Sequence, residues 1–277
     1  MTEIDMFRYE RKRVLVVGGA TGMGAAAAQI ASSLGAEAVV MDIAPIEFPV
    51  AKAVKVDLRD RSTIDDALSE VEGPIDAIFS AAGVAQGSSG LMRVNFIAHR
   101  HIIETLLEDG RLIPGSAVCM ISSVGGLGWQ SQLPVLLEFL EHSSYESAVD
   151  WIDAHEGTDN YGFSKQAMNC YVAQQAYPFM TRGVRINAIC PGPTDTPLAR
   201  ANAAEWLTFA QDYRDATGTT TMNPEQMGRV MNFLNSDAAI GISGVNVLVD
   251  DGYVMSSLVN SYPPGHPIVD MLMNLSS

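Results

Sequence analysis

"RVLVVGGATGMGAAAAQIASSLGAEAVVMDI", residues 13–43, decides how the rest of the chain is read. A short valine-rich run comes first. A glycine cluster follows, then an alanine-rich stretch, then a second apolar run that closes on Asp42. Both apolar runs are continuous, not alternating, as expected of strands buried on both faces of a parallel sheet. The stretch 22–36 reads as a helix that ends at Gly35. Residues 13–43 are thus a strand–helix–strand unit.

The same alternation continues to the end of the chain. Apolar runs recur at 51–58, 75–83, 115–123, 184–192 and 244–252. "STIDDALSEVEG" (62–73) reads as a helix, opened by Ser62-x-x-Asp65 as a capping box and stopped at Gly73-Pro74. This pattern predicts one α/β domain over residues 1–277: a Rossmann-type, doubly wound parallel sheet of about seven strands with helices on both faces. A chain of 277 residues, 47% hydrophobic, is long enough to bury such a core.

Composition narrows the function. The formal net charge is −15, and the 17 Lys and Arg form no run beyond "RYERKR" (8–13). Such a surface repels phosphate backbones, so a nucleic-acid partner is not expected. The charged start has no apolar signal core, and no 18-residue apolar stretch occurs, so neither secretion nor a membrane span is expected. Cys119, Cys170 and Cys190 lie far apart without metal-ligand spacing and read as free thiols in a reducing cytoplasm. The five histidines show no ligand spacing either and read as surface or packing residues, so no metal is expected.

The glycine cluster contains Gly18-x-x-x-Gly22-x-Gly24, with Thr21 and Met23 in the same turn. Glycines at a strand-to-helix junction let backbone approach a pyrophosphate, and the helix N-terminus adds free N–H groups and a positive dipole end. Asp42 ends the second strand. A carboxylate there accepts hydrogen bonds from the ribose hydroxyls and repels a 2′-phosphate, which predicts NAD over NADP.

Five motifs stand in one order: the glycine cluster, "AAG" (81–83), "ISS" (121–123), Tyr161-x-x-x-Lys165 and "RINAICPG" (185–192). Together they resemble the short-chain dehydrogenase/reductase superfamily over about residues 11–255. The resemblance implies roles for single residues. Asp57 is similar to the acid that bonds the adenine amino group, with Leu58 beside the ring. Ala81, Ala82 and Gly83 match the family's Asn-Ala-Gly segment along the cofactor, with Ala in place of Asn at 81. Pro191, Gly192 and Thr194 match the loop at the nicotinamide carboxamide. Tyr161 is implied as the proton donor and acceptor, Ser123 as the partner of the substrate oxygen, and Asn95 as the anchor of a water relay behind Lys165. Ser122 reads as a structural neighbour of Ser123.

A phenol near its reference pKa of about 10 is a poor base at neutral pH. Helical spacing places Lys165 on the face of Tyr161, where its ammonium, together with the positive nicotinamide, is expected to lower the phenol pKa. Lys165 is also implied to hold the nicotinamide ribose.

Ser123 and Tyr161 are separated by an insertion, 127–160, with helical periodicity at Leu133, Leu136, Leu137 and Leu140 and again at Ala148, Val149 and Ile152. An insertion at this place resembles the bacterial 3α-hydroxysteroid dehydrogenase/carbonyl reductase branch. It is expected to cover the surface that many members use for association. A homo-oligomer, dimer or tetramer, is expected.

Segment 196–221 takes the place of the family's substrate lid, with Trp206, Phe209 and Tyr213 at helical spacings that allow one aromatic face, while packing on the body is favoured for any one of them. The tail 256–277, with Ile268, Met271, Leu272 and Leu275, is expected to cover the pocket or a neighbouring subunit. The expected activity is NAD-dependent interconversion of a secondary alcohol, cyclic and apolar in the manner of a steroid or terpene, with its ketone. The alternatives are a silent NAD(H)-binding sensor or scaffold, or an aryl or primary alcohol dehydrogenase.

Overall fold

The structure, a computed structural model, describes residues 3–275. β1 (Arg13–Val17), α1 (Gly22–Ser33) and β2 (Glu37–Asp42) form the unit expected from the opening stretch, and β3 (Lys52–Lys55) pairs with β2. The chain continues through α2 (Arg61–Ser69) and β4 (Ile75–Ser80). A π-helical turn, Arg93–Ile97, leads into α3 (Ala98–Glu108), and β5 (Leu112–Ile121) returns to the sheet. All pairings are parallel, in the order β3-β2-β1-β4-β5-β6-β7, with β6 at Arg185–Pro191 and β7 at Asn246–Val249.

The strand order reverses between β1 and β4. Connections leave the two strands in opposite directions there, which opens a crevice at their carboxyl ends. Two apolar layers flank the sheet. α1 packs with α10 (Pro224–Asn235) on one face, while α2, α3 and α6 (Tyr161–Met180) build the larger layer on the other. β6 is buried along its whole length, which explains its continuous apolar sequence.

The insertion forms two helices, α4 (Leu133–Glu141) and α5 (Tyr145–Ala154). Leu136 and Leu140 enter the core, while Leu133 and Leu137 remain exposed. The aromatic contacts of Phe139 with Phe96 and Phe163 join the insertion to the body, and its contact with Trp151 joins α4 to α5. Buried Arg100 of α3 donates to the carbonyls of Leu140 and His142, which closes the C-terminal end of α4.

Two expectations need correction here. α2 is not opened by Ser62. Asp60 is the cap, accepting from the Ser62 backbone N–H at 2.9 Å and from its hydroxyl at 2.8 Å. The Asp60 carboxylate directly precedes the first turn and satisfies the free Ser62 N–H, which leaves Ser62 inside the helix, where it cannot be the cap. The lid also lacks one aromatic face. It breaks into α7 (Pro197–Ala201), α8 (Ala203–Trp206) and α9 (Gln211–Thr217), and Ala210 takes a left-handed φ of 57° between the last two. That break sends Trp206 to Tyr161, at 5.1 Å between centroids, and turns Phe209 and Tyr213 onto Tyr253, at 5.3 and 5.5 Å.

In the tail, α11 (Tyr253–Leu258) and α12 (His266–Met273) fold back on the body. Val269 is the buried anchor, whereas Ile268, Met271 and Leu275 are exposed. Only Leu272 of the four expected residues lines the crevice, since one helical face can turn inward. Residues 276–277 of the expected tail lie outside the described residues. No described helix is long and apolar enough to cross a membrane.

Candidate active site

A cavity of about 800 Å³ opens at the β1/β4 crevice. The β1–α1 turn forms its floor. Gly18 has φ +83°, and a Cβ there would lie 2.3 Å from Ala82 Cα. A Cβ on Gly24 would lie 2.1 Å from the Gly18 carbonyl oxygen. Only glycine permits this close stacking of the turn on the 81–83 segment. Thr21 caps α1 with extended backbone and no side-chain bond, so the helix N-terminus faces the cavity uncapped. Gly22 and Met23 line the same wall.

Asp42 stands where β2 ends. Its Oδ2 accepts from the Ala20 N–H and its Oδ1 from the Ala44 N–H, each at 2.9 Å, so the carboxylate is fixed at the cavity wall. Asp57 and Leu58 follow on the wall after β3. The Asp57 carboxylate pairs with Arg59 at 2.6 Å, and that bond holds its pKa below the usual carboxylate value. Arg59 also lines the cavity. Its role was not legible in the sequence, because only the loop's folding turns it back on Asp57.

Ala81, Ala82 and Gly83 line the opposite wall. Two side chains of the next helix pin this segment from behind. Asn95, fully buried, accepts from the Val84 N–H at 2.7 Å and donates to the Val84 carbonyl at 3.0 Å. Its amide nitrogen also lies 3.4 Å from the Ser164 hydroxyl. Asn95 therefore sits behind the cavity wall and not in it. One turn later, buried His99 bridges the Ser80 hydroxyl at 2.7 Å and the Ala82 carbonyl at 2.9 Å. Burial pushes its pKa down to about 4, so the ring is neutral. A carbonyl only accepts, so Nε2 donates to Ala82 and Nδ1 accepts from Ser80. The sequence carries no signal for this pairing, which joins residues 19 positions apart.

α6 delivers the Tyr-x-x-x-Lys pair. Asn160 caps it through the Phe163 N–H at 2.8 Å, and Gln86 accepts from the Tyr161 N–H at 2.8 Å. Asp159 accepts from the Met92 N–H at 3.1 Å. These bonds fix the start of the helix against the β4–α3 connection. Ser123, just beyond β5, accepts from the Gly125 N–H at 3.0 Å and stands beside the Tyr161 phenol. Ser122 instead donates to the Lys165 carbonyl at 3.2 Å, the structural part expected of it. Lys165 is buried, donates from Nζ to the Ile121 carbonyl at 2.8 Å, and stands 5.5 Å from the Tyr161 ring centre.

The charges differ from the expectation. Burial of the phenol raises the Tyr161 pKa, and the Ser123 bond lowers it only in part. Burial also pushes Lys165 down to about 8. Withdrawal from water disfavours the phenolate and the ammonium alike, and it is the largest cause at both groups.

Pro191, Gly192 and Thr194 line the wall where β6 ends, and Thr194 bonds the Gly192 carbonyl at 3.1 Å. Beyond Tyr161 the wall becomes apolar: Leu198, Trp206 and Phe209 from the lid, Leu272 from the tail and Val124 from the body. Glu205 is the one carboxylate that the lid adds to it.

This topology and site are similar to those of the short-chain dehydrogenases/reductases, a superfamily of oxidoreductases, and the chain resembles named dehydrogenases along most of its length. Residues 143–254 match the family model described as enoyl-(acyl carrier protein) reductase. The chain is 27% identical over 250 residues to a coniferyl-alcohol dehydrogenase of a Pseudomonas species, covering 87% of this chain and 96% of that one. It is 26% identical over 247 residues to the 3α-hydroxysteroid dehydrogenase/carbonyl reductase of Comamonas testosteroni, with 86% and 95% covered. Among solved structures, the 3α-hydroxysteroid dehydrogenase of Pseudomonas sp. B-0831 complexed with NADH superposes with a TM-score of 0.72. That pair is 22% identical and covers 91% of this chain and 99% of the other.

Proposed function

We propose that the protein interconverts a secondary, cyclic and largely apolar alcohol and its ketone with NAD as cofactor. One observation carries this reading. Ser123, Tyr161 and Lys165 meet at the point where the glycine-floored cavity turns into an apolar pocket. The fixed carboxylate of Asp42 favours ribose hydroxyls over a 2′-phosphate at the far end.

The nicotinamide cofactor, when bound, supplies the hydride acceptor or donor. The chain's own residues handle the proton. In oxidation, the alcohol O–H loses its proton to the Tyr161 oxygen as the carbinol C–H leaves as hydride and the C=O bond forms. Ser123 donates a hydrogen bond to the substrate oxygen and keeps it within reach of the phenol. The Lys165 ammonium favours the phenolate, and the positive charge of the oxidised cofactor adds to it against the burial cost. Asn95, by fixing Val84 and reaching Ser164, holds the turn that carries Lys165 and would anchor a proton relay there. Asp57 and Leu58 border the adenine end, Ala81 to Gly83 the sugar–phosphate wall, and Pro191, Gly192 and Thr194 the carboxamide end.

The aromatic lid also suits an aryl alcohol, and the coniferyl-alcohol dehydrogenase relative supports including that class. The test is a panel of cyclic secondary, steroid, terpene and aryl alcohols offered with NAD+ and with NADP+, read as formation of reduced nicotinamide. NAD-linked turnover on ring alcohols fits the reading. Tight NAD(H) binding without turnover on any of them would favour the sensor alternative.

A further inference from the structure

The insertion touches both ends of the cofactor cavity. At one end Trp151 stacks on Phe163, between Tyr161 and Lys165 on α6, at 6.0 Å and 13°. At the other, Tyr145, the first residue of α5, reaches the loop between β3 and α2. Its hydroxyl lies 3.3 Å from the Leu58 carbonyl and 3.1 Å from the Arg59 carbonyl, across more than eighty positions of sequence. Both residues line the cavity.

The loop is held from two sides. On the α2 side, Thr63 accepts from the Asp57 N–H at 3.1 Å and donates to the Asp57 carbonyl at 2.7 Å. On the other side stands Tyr145. Its ring is buried and meets His101 edge-on at 5.8 Å, and His101 in turn bonds Asp65 of α2 at 2.7 Å. Glu146 beside it pairs with Arg61 at 2.6 Å. Burial pushes the Tyr145 phenol up to about 12, so its O–H remains a donor at every working pH. One proton shared between two carbonyls sets the peptide planes of residues 58 and 59, and with them the direction of the Leu58 and Arg59 side chains.

We infer that Tyr145 is a positioning residue for the adenosine half of the cofactor, through which the insertion shapes a subsite that Asp42 and the β3–α2 loop otherwise build. This rests on the proposed dinucleotide reading of the cavity. The phenol touches neither the nicotinamide end nor Tyr161, so its effect falls on binding and spares the chemical step.

Tyr145→Phe keeps the buried ring and removes the hydroxyl, and a matched urea midpoint confirms that it folds. The probes are NADH and ADP-ribose, which carries the adenosine and lacks the nicotinamide. The dissociation constants of both are expected to rise about fivefold in the variant, the size of one net hydrogen bond. The kcat at saturating NAD+ is expected to be unchanged. Glu146→Gln, which loosens the exposed ion pair but not the loop carbonyls, is expected to leave both constants unchanged. Equal affinities in Tyr145→Phe and wild type would overturn the inference. A fall in kcat with both affinities intact would overturn it too, by placing the effect at the catalytic end. If the wild type bound NADH but not ADP-ribose, the adenosine assignment would fail while the dinucleotide reading stood. If the wild type bound neither, the dinucleotide reading itself would fail, and this inference with it.

Discussion

Replacing Lys165 by Met should make the cofactor-free protein more stable while removing its activity. Lys165 is buried, with a pKa pushed from 10.5 to about 8 by burial. At about 1.36 kcal/mol per pH unit, that displacement corresponds to about 3 kcal/mol spent on keeping the ammonium charged below pH 8. The sign follows from proton binding. The unfolded chain holds the proton more tightly than the folded one between about 8 and 10.5, so wild-type stability rises with pH across this window. A Met of similar length carries no such cost. It also leaves the Ile121 carbonyl without the 2.8 Å bond from Nζ, a loss of about 1 kcal/mol. The net gain for Lys165→Met is then about 2 kcal/mol near neutral pH. It should shrink to nothing or reverse slightly above the unfolded-state pKa of about 10.4. Urea unfolding of both proteins at several pH values measures this directly. A variant less stable than wild type near neutral pH, with a gap that does not move with pH, would refute the reasoning.

Two further outcomes follow from the geometry. Asp42→Ser removes the charge at the proposed ribose site, so the ratio of kcat/KM for NAD+ over NADP+ should fall by about tenfold or more; an unchanged ratio would remove Asp42 as the discriminating group. The insertion packs on α3 and α6 through Arg100, Phe139 and Phe163, so light scattering on the eluting protein should show a dimer built on another surface. An ordinary tetramer would count against that.

Much of the fold could be read from the chain because parallel strands announce themselves. The runs at 13–19 and 184–192 are continuous in valine, isoleucine and alanine since β1 and β6 are covered on both faces. The glycine turn was legible for a related reason: Gly18 and Gly24 stand where a Cβ would collide with backbone. What the sequence hid depends on contacts between distant segments. The spacing of Trp206, Phe209 and Tyr213 suggests one helical face, but left-handed Ala210 divides it. Asp60 takes the cap that Ser62-x-x-Asp65 imitates, because it directly precedes the first helical residue, Arg61, while Ser62 lies inside the helix. His99 and Tyr145 have no motif. One is defined by Ser80 and Ala82, the other by two carbonyls of a loop far away in sequence. The Tyr161–Lys165 spacing was legible, but its electrostatics were not, because the cost of burial is set by everything around the pair.

The central claim is that Tyr161 moves the proton of an alcohol while NAD takes the hydride. Wild type and Tyr161→Phe should be compared on the best alcohol of the panel with saturating NAD+, with NADH binding measured on both proteins. The account predicts a loss of turnover of about a hundredfold or more in the variant with NADH affinity little changed, as expected when a general acid–base is removed from an intact site. Near-normal turnover by Tyr161→Phe would contradict it.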